Sequence, residues 1–252
     1  PAAATSAAAT TAAPGTSAAA TTAAGVAPTA TALPTVAQPA GSTKITFWYG
    51  LGSPLNGVVQ TVVNKYNSSQ TKYYIQALQQ PDYDATITKL NSSLAGGDLP
   101  NVVQIYDIGT QRMIDTGKIV PVQDLIDKDK LDIVSDIEPA VAKYYTINNK
   151  LYSMPFNSSA PVTYFDKNAF KEVGLDPNQK IWTYSQLLDA AKKLTKKDAS
   201  GKITRSGIDF TLYSWIFEQE LATQGALFAS PDNGRSSRAT ALAFNNEAGS
   251  NW

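Results

Sequence analysis

The sequence predicts an α/β protein built on parallel, doubly wound sheet and laid out in two successive units. Three observations carry this. From Lys44 onward, short apolar runs of strand length alternate with longer segments of helical periodicity. After Asn148 the alternation starts again. Before Lys44 the composition is of another kind altogether.

The first strand is expected over 44–49 (Lys-Ile-Thr-Phe-Trp-Tyr). A helix follows, with Ser53 as N-cap and Pro54 at the first helical position. Leu55, Val58, Val59, Val62, Val63 and Tyr66 keep helical spacing and define its apolar face. A second strand over 72–78 leads to a helix over 83–95, stopped by Gly96-Gly97. A third strand is expected over 101–106, then helices near 109–116, 122–129 and 134–146. Ligands of such sheets bind beyond the carboxyl ends of the strands. Those ends are Trp48-Tyr49, Gln79-Gln80 and Tyr106-Asp107, all polar or aromatic.

In the second unit, 151–156 and 162–165 read as extended. A helix over 166–173 ends at Gly174. Thr183 and Gln186 form a capping box before Leu187, Leu188, Ala191 and Leu194. The lysine pairs 192–193 and 196–197 read as one solvated helix face. A strand over 206–210 and an aromatic helix over 213–224 follow. About three strands are too few to close a two-faced sheet, so the second unit reads as incomplete and the chain as cut at both ends.

Composition excludes several chemistries. The 252 residues contain no His and no Cys. That rules out a Ser-His-Asp triad, a thiol nucleophile, a disulfide framework and a thiolate or imidazole metal site within this chain. The 21 basic and 21 acidic residues balance, which argues against a nucleic-acid surface. Residues 1–43 hold no charge, 18 Ala, 10 Thr and Pro at 1, 14, 28, 34 and 39. With no apolar face to bury, this segment reads as a disordered tether of roughly 35 Å end-to-end distance. An anchor before Pro1 would make it a membrane tether; a Ser/Thr-rich stalk is the alternative.

Candidate chemistry is sparse. Gly50-Leu-Gly52-Ser-Pro-Leu55 half-matches a dinucleotide loop, but Leu55 stands where that loop needs Gly or Ala. A tight βα turn explains it better, and no cofactor is expected. Aromatic residues gather at the expected strand ends and loops, among them Trp48, Tyr49, Tyr83 and Trp215. Such rings serve either as core or as stacking faces for sugars and polyols. Asp107 is the best-placed acid, and no second acid is evidently aimed at the same point, so catalysis lacks support.

Several segments in order and spacing carry a resemblance. They are 45–49 (ITFWY), 96–100 (GGDLP), 102–109 (VVQIYDIG), 155–162 (PFNSSAPV), 164–170 (YFDKNAF), 174–177 (GLDP) and 182–194. The chain resembles the extracellular solute-binding proteins of ABC importers, family 1, and within it the glycerol-phosphate binders. The resemblance implies a type II periplasmic-binding-protein fold: a lobe over 44–155, a hinge, and a partial second lobe over 156–252. It implies a monomeric, extracytoplasmic receptor without enzymatic activity, held by a lipid anchor through the tether. That receptor would deliver a glycerol phosphate or carbohydrate to membrane permease subunits. Tyr83, Asp107 and Ser159 match ligand positions of the glycerol-phosphate binders, and Trp215 is a looser match. Asp107 stands where those proteins carry Glu. Two readings of other classes stay open: a glycan hydrolase using Asp107, and a structural surface protein on a stalk.

Overall fold

The computed structural model describes residues 35–179, 182–210 and 213–250. Most of the expected tether therefore lies outside the described residues. Two compact units are present, one ending at Tyr106 and one beginning at Asp107.

The first unit is a three-stranded parallel sheet in the order β2-β1-β3. The central strand β1 (Thr43–Tyr49) becomes buried toward its carboxyl end. It pairs along its full length with β2 (Tyr73–Gln79), Thr43 opposite Tyr73 and Tyr49 opposite Gln79. On its other edge it meets β3 (Val102–Val103). The strand expected over 101–106 is thus shorter, because side chains replace ladder bonds at both ends. Asn101 Oδ1 accepts from Thr46 N at 2.9 Å, and Gln104 Oε1 accepts from Gly50 N at 3.0 Å.

Helices cover both faces, as a doubly wound sheet requires. Phe47 and Tyr49 point to one face and pack on Val59 and Val63 of α1 (Leu55–Ser69). Trp48 points to the other, where Lys89 of α2 (Tyr83–Gly96) lies 4.0 Å from its ring centroid. The expected α1 face is only half right. Val59, Val63 and Asn67 form the buried line, while Leu55, Val58, Val62 and Tyr66 are exposed. Asn67 is buried because it continues the sheet: its amide donates to Ile75 O at 2.9 Å and accepts from Ile75 N at 2.8 Å. Pro54 is the N-cap rather than the first helical residue, and no side chain caps α1. Asp82 does cap α2, accepting from Ala85 N at 2.7 Å, and Gly97 closes it at φ 79°.

The second unit opens with a 3-10 turn (Asp107–Gly109) and α3 (Thr110–Asp115), α4 (Val122–Asp129) and α5 (Pro139–Tyr145). A tight hairpin, β4 (Thr146–Ile147) and β5 (Lys150–Leu151), turns at Asn148-Asn149, both at positive φ. Asparagine tolerates that region better than other side-chain-bearing residues. Then come α6 (Lys167–Glu172) and α7 (Tyr184–Leu194), whose Thr183/Gln186 capping box forms in full. Ala169, Phe170, Ala190 and Leu194 make the local core, with Trp182 packed against it. Leu188, expected inward, is exposed.

Two further expectations need correction. Lys196-Lys197 is not helix but β6, paired with β7 (Ile203–Arg205). Lys196 is drawn there by Glu172, which also takes Arg205 Nη1 at 2.9 Å. Residues 206–210 accordingly follow a strand rather than form one. The aromatic helix is α8 (Ser214–Thr223), followed by β8 (Ala229–Ser230), β9 (Ala241–Leu242) and α9 (Glu247–Ser250). Among the described residues, the strands of this unit pair only as antiparallel two-stranded pieces. The segment 162–165 joins no ladder, and Tyr164 is 93% exposed.

Candidate ligand-binding site

At the carboxyl end of the first sheet, β1 is followed by Gly50, which lies against the start of α2. A Cβ there would sit 2.7 Å from Asp82 C and O. The glycine of the false dinucleotide motif is therefore explained by backbone approach. Just beyond it, Tyr83 stacks on Tyr106 with centroids 5.7 Å apart and planes 6° apart. The Tyr106 hydroxyl donates to Asp84 Oδ1 at 2.9 Å. Both rings remain half-exposed, so the stack offers a flat aromatic edge.

Trp48 and Tyr49 are placed differently. They are 5% and 4% exposed, and burial pushes the Tyr49 phenol up from its ordinary value. Lys89 over Trp48 also donates to the buried Gln80 Oε1 at 3.2 Å. These residues form the packed floor beneath the strand ends.

In the second unit, Asp107 is half-buried at the first turn of its 3-10 segment. Burial first, then the charge of Asp107, push the Tyr144 phenol up to about 12. The hydroxyl stays a donor at any physiological pH. Arg235 approaches Tyr144 from the loop between β8 and β9. Glu218 of α8 is raised by burial and, second, by the charge of Asp107. The sequence reading did not single out Glu218. Trp215 lies three residues before Glu218 on the same helix and so shares its face. Ser159 is exposed in the segment between β5 and α6, which forms neither helix nor strand.

A second loop arginine, Arg238, grips Asp115 of α3, its Nη1 2.8 Å from Oδ2. Hydrogen bonding to Arg238 holds the Asp115 carboxyl below its usual range. A separate hollow of about 450 Å³ is lined by Phe165, Trp182, Tyr184 and Leu187, among others. Tyr144, Glu218, Arg235 and Arg238 carry no local sequence signal. Only the tertiary approach of loop 231–240 to α3 and α5 brings the arginines to their partners.

What these parts can do is bind. Rings offer stacking faces, carboxylates accept from hydroxyls, and phenols donate. A doubly wound parallel sheet with such strand ends fits the periplasmic-binding-protein class, whose fold the solved structures named below share. The family described as bacterial extracellular solute-binding protein matches residues 61–248, and the chain belongs to that family.

Relatives agree with the assignment. The chain is 32% identical over 220 residues to the sn-glycerol-3-phosphate-binding periplasmic protein UgpB of Escherichia coli O1:K1, covering 86% of this chain and 49% of that one. The same figures hold for UgpB of Salmonella typhimurium. The chain thus spans about half the length of the curated relatives it matches. An ABC substrate-binding protein from Listeria monocytogenes in complex with cycloalternan shares the fold, with a TM-score of 0.62 at 18% identity, over 82% of this chain and 50% of that one. The cyclic alpha-maltosyl-1,6-maltose binding protein from Arthrobacter globiformis does so with a TM-score of 0.57 at 23% identity, over 84% and 52%.

Proposed function

We propose that this chain is the solute-capturing part of an extracytoplasmic receptor that delivers its ligand to the permease of an ABC importer. The receptor performs no chemistry on the ligand. Family membership and the names of the relatives support this reading. The ligand is sn-glycerol 3-phosphate, a glycerophosphodiester or an oligosaccharide. Lobe one spans 44–155 and lobe two starts at 156, with ligand closing the pair by population shift. The Ala/Thr/Pro segment over 1–43 tethers the receptor to a lipid anchor, and the receptor acts as a monomer.

The observation that carries the site is Asp107, half-buried at the first turn of the 3-10 segment that follows the end of the first sheet, its charge felt by the Tyr144 phenol. A carboxylate placed there accepts hydrogen bonds from ligand hydroxyls. Tyr83, Ser159 and Trp215 supply a further donor, a second hydroxyl and a stacking face. Trp48 and Tyr49, expected as contacts, support the strand ends from below.

The charge of Asp107 felt by Glu218 invites the hydrolase reading, since glycosidases use two acids. A single experiment separates the two. The natural full-length protein is titrated with sn-glycerol 3-phosphate and with maltotetraose, following tryptophan fluorescence, and the mixtures are then analysed for products. Saturable binding of one ligand without product is expected. Product formation, or binding of neither, would overturn the receptor reading.

A further inference from the structure

Tyr83 and Tyr106 stand on two segments that meet at one residue, Gly50. On one side Gly50 N donates to Gln104 Oε1 at 3.0 Å, and Gln104 N donates to Trp48 O at 2.8 Å. These bonds fix the chain two residues before Tyr106. On the other side, a Cβ on Gly50 would lie 2.9 Å from Tyr83 N, so the start of α2 rests on the same turn. Asp82 locks that start by accepting from Ala85 N at 2.7 Å. The backbones that carry the two tyrosines are thereby fixed relative to each other.

The side chains add two contacts of their own. The rings are nearly parallel, 6° between planes, and a centroid distance of 5.7 Å makes the stack offset. The Tyr106 hydroxyl donates to Asp84 Oδ1 at 2.9 Å, on the residue next to Tyr83. Tyr106 is thus held at its base by the strand end and at its tip by α2, and Tyr83 leans on the ring so held. A half-exposed tyrosine without such a neighbour samples several staggered rotamers. Stacking selects one, so the ordering is complete before a ligand arrives. A plain packing role would suit buried rings. Both of these stay half-exposed at the carboxyl end of the sheet, where ligands of doubly wound folds bind.

We propose that Tyr106 is a positioning residue of the ligand site: tethered to Asp84, it holds Tyr83 in the direction that meets a captured solute. The proposal rests on the reading of Tyr83 as a ligand contact. Tyr106 acts through Tyr83, and Asp84 acts through Tyr106.

The test is a set of double-mutant cycles on the natural full-length protein, titrated calorimetrically with sn-glycerol 3-phosphate and with maltotetraose. Tyr106→Leu removes ring and tether together and should weaken binding about tenfold. Tyr106→Phe keeps the stack, and Asp84→Ala keeps both rings. Each loses the same hydrogen bond, so each should weaken binding about threefold, and the double variant should bind no worse than either alone. Full additivity of these two would overturn the tether. In a Tyr83→Ala background, Tyr106→Leu should add nothing. A merely structural Tyr106 would weaken binding equally in both backgrounds, and that result would overturn the positioning role. So would unchanged affinity in Tyr106→Leu with binding weakened in Tyr83→Ala, which leaves Tyr83 standing as a contact. Unchanged affinity in Tyr83→Ala would instead overturn the ligand role of Tyr83. Binding of neither ligand by the parent would overturn the receptor reading and the proposal with it. Melting curves of each variant set the temperature at which all are folded.

Discussion

Tyr83 and Tyr106 lie face to face, 5.7 Å between ring centroids and 6° between planes. One opens α2 and the other follows β3, so the stack ties the helix start to the strand end that flanks it. Tyr83→Phe keeps that stack and loses only the hydroxyl. Ligand affinity should fall by about 1–3 kcal/mol, the cost of a hydrogen bond lost to a buried polar group, with little change in melting temperature. Tyr83→Ala should lose in addition the stack, about 0.5–1.5 kcal/mol of stability. Calorimetric titration and thermal melting of both variants check the pair of expectations.

Two glycines two residues apart should behave oppositely. A Cβ on Gly50 would meet Asp82 backbone at 2.7 Å, whereas one on Gly52 would meet nothing within 4 Å. Gly50→Ala should cost about 1–3 kcal/mol by forcing β1 and α2 apart. Gly52→Ala should stay within about 0.5 kcal/mol of the parent. Denaturant melts of the two variants decide the matter; equal effects would mean that the close approach is not real.

Glu218 should be a residue that binding keeps at some cost to stability. Burial and Asp107 raise its proton affinity in the fold. For a raised acid, stability is full below the ordinary value of 4.5 and is lost as pH rises through the folded one. Glu218→Gln should therefore raise the melting temperature at pH 7, and the gain should vanish near pH 4. A gain that persists at pH 4 would contradict the assignment.

Glu172 has the opposite sign. Lys196 and then Arg205 hold it below its ordinary 4.5. A depressed acid stabilises above its unfolded value and loses that contribution as pH falls through the folded one. Melting temperature should drop as pH goes below 4.5, and Glu172→Gln should flatten that part of the curve. Because these groups are exposed, 0.5 M salt should flatten it as well.

Much of the first unit was legible in the sequence, for reasons that individual residues make plain. β1 and β2 are apolar runs of ladder length, and Asp82 and Gly97 are local start and stop signals that need no tertiary help. The Thr183/Gln186 box is equally local. Periodicity overreached on α1: it cannot tell which of two adjacent stripes a three-stranded sheet will cover, and it has no place for a buried Asn67. β3 shrank because Asn101 and Gln104 mimic ladder bonds with side chains. Lys196 left the expected helix because Glu172, 24 residues earlier, pairs with it. At the site, Asp107 was visible as a polar strand end. Tyr144 and Glu218, which feel its charge, and Arg235, which contacts Tyr144, were not, since each comes from a distant element.

The central claim is that Asp107 receives the hydroxyls of a captured solute. Calorimetric titration of the natural full-length protein and its Asp107→Ala variant, each with sn-glycerol 3-phosphate and maltotetraose, tests it most directly. The account predicts one-to-one binding of one of these ligands by the parent, with affinity reduced at least tenfold in a variant that melts at an unchanged temperature. Equal affinity in parent and variant would contradict it.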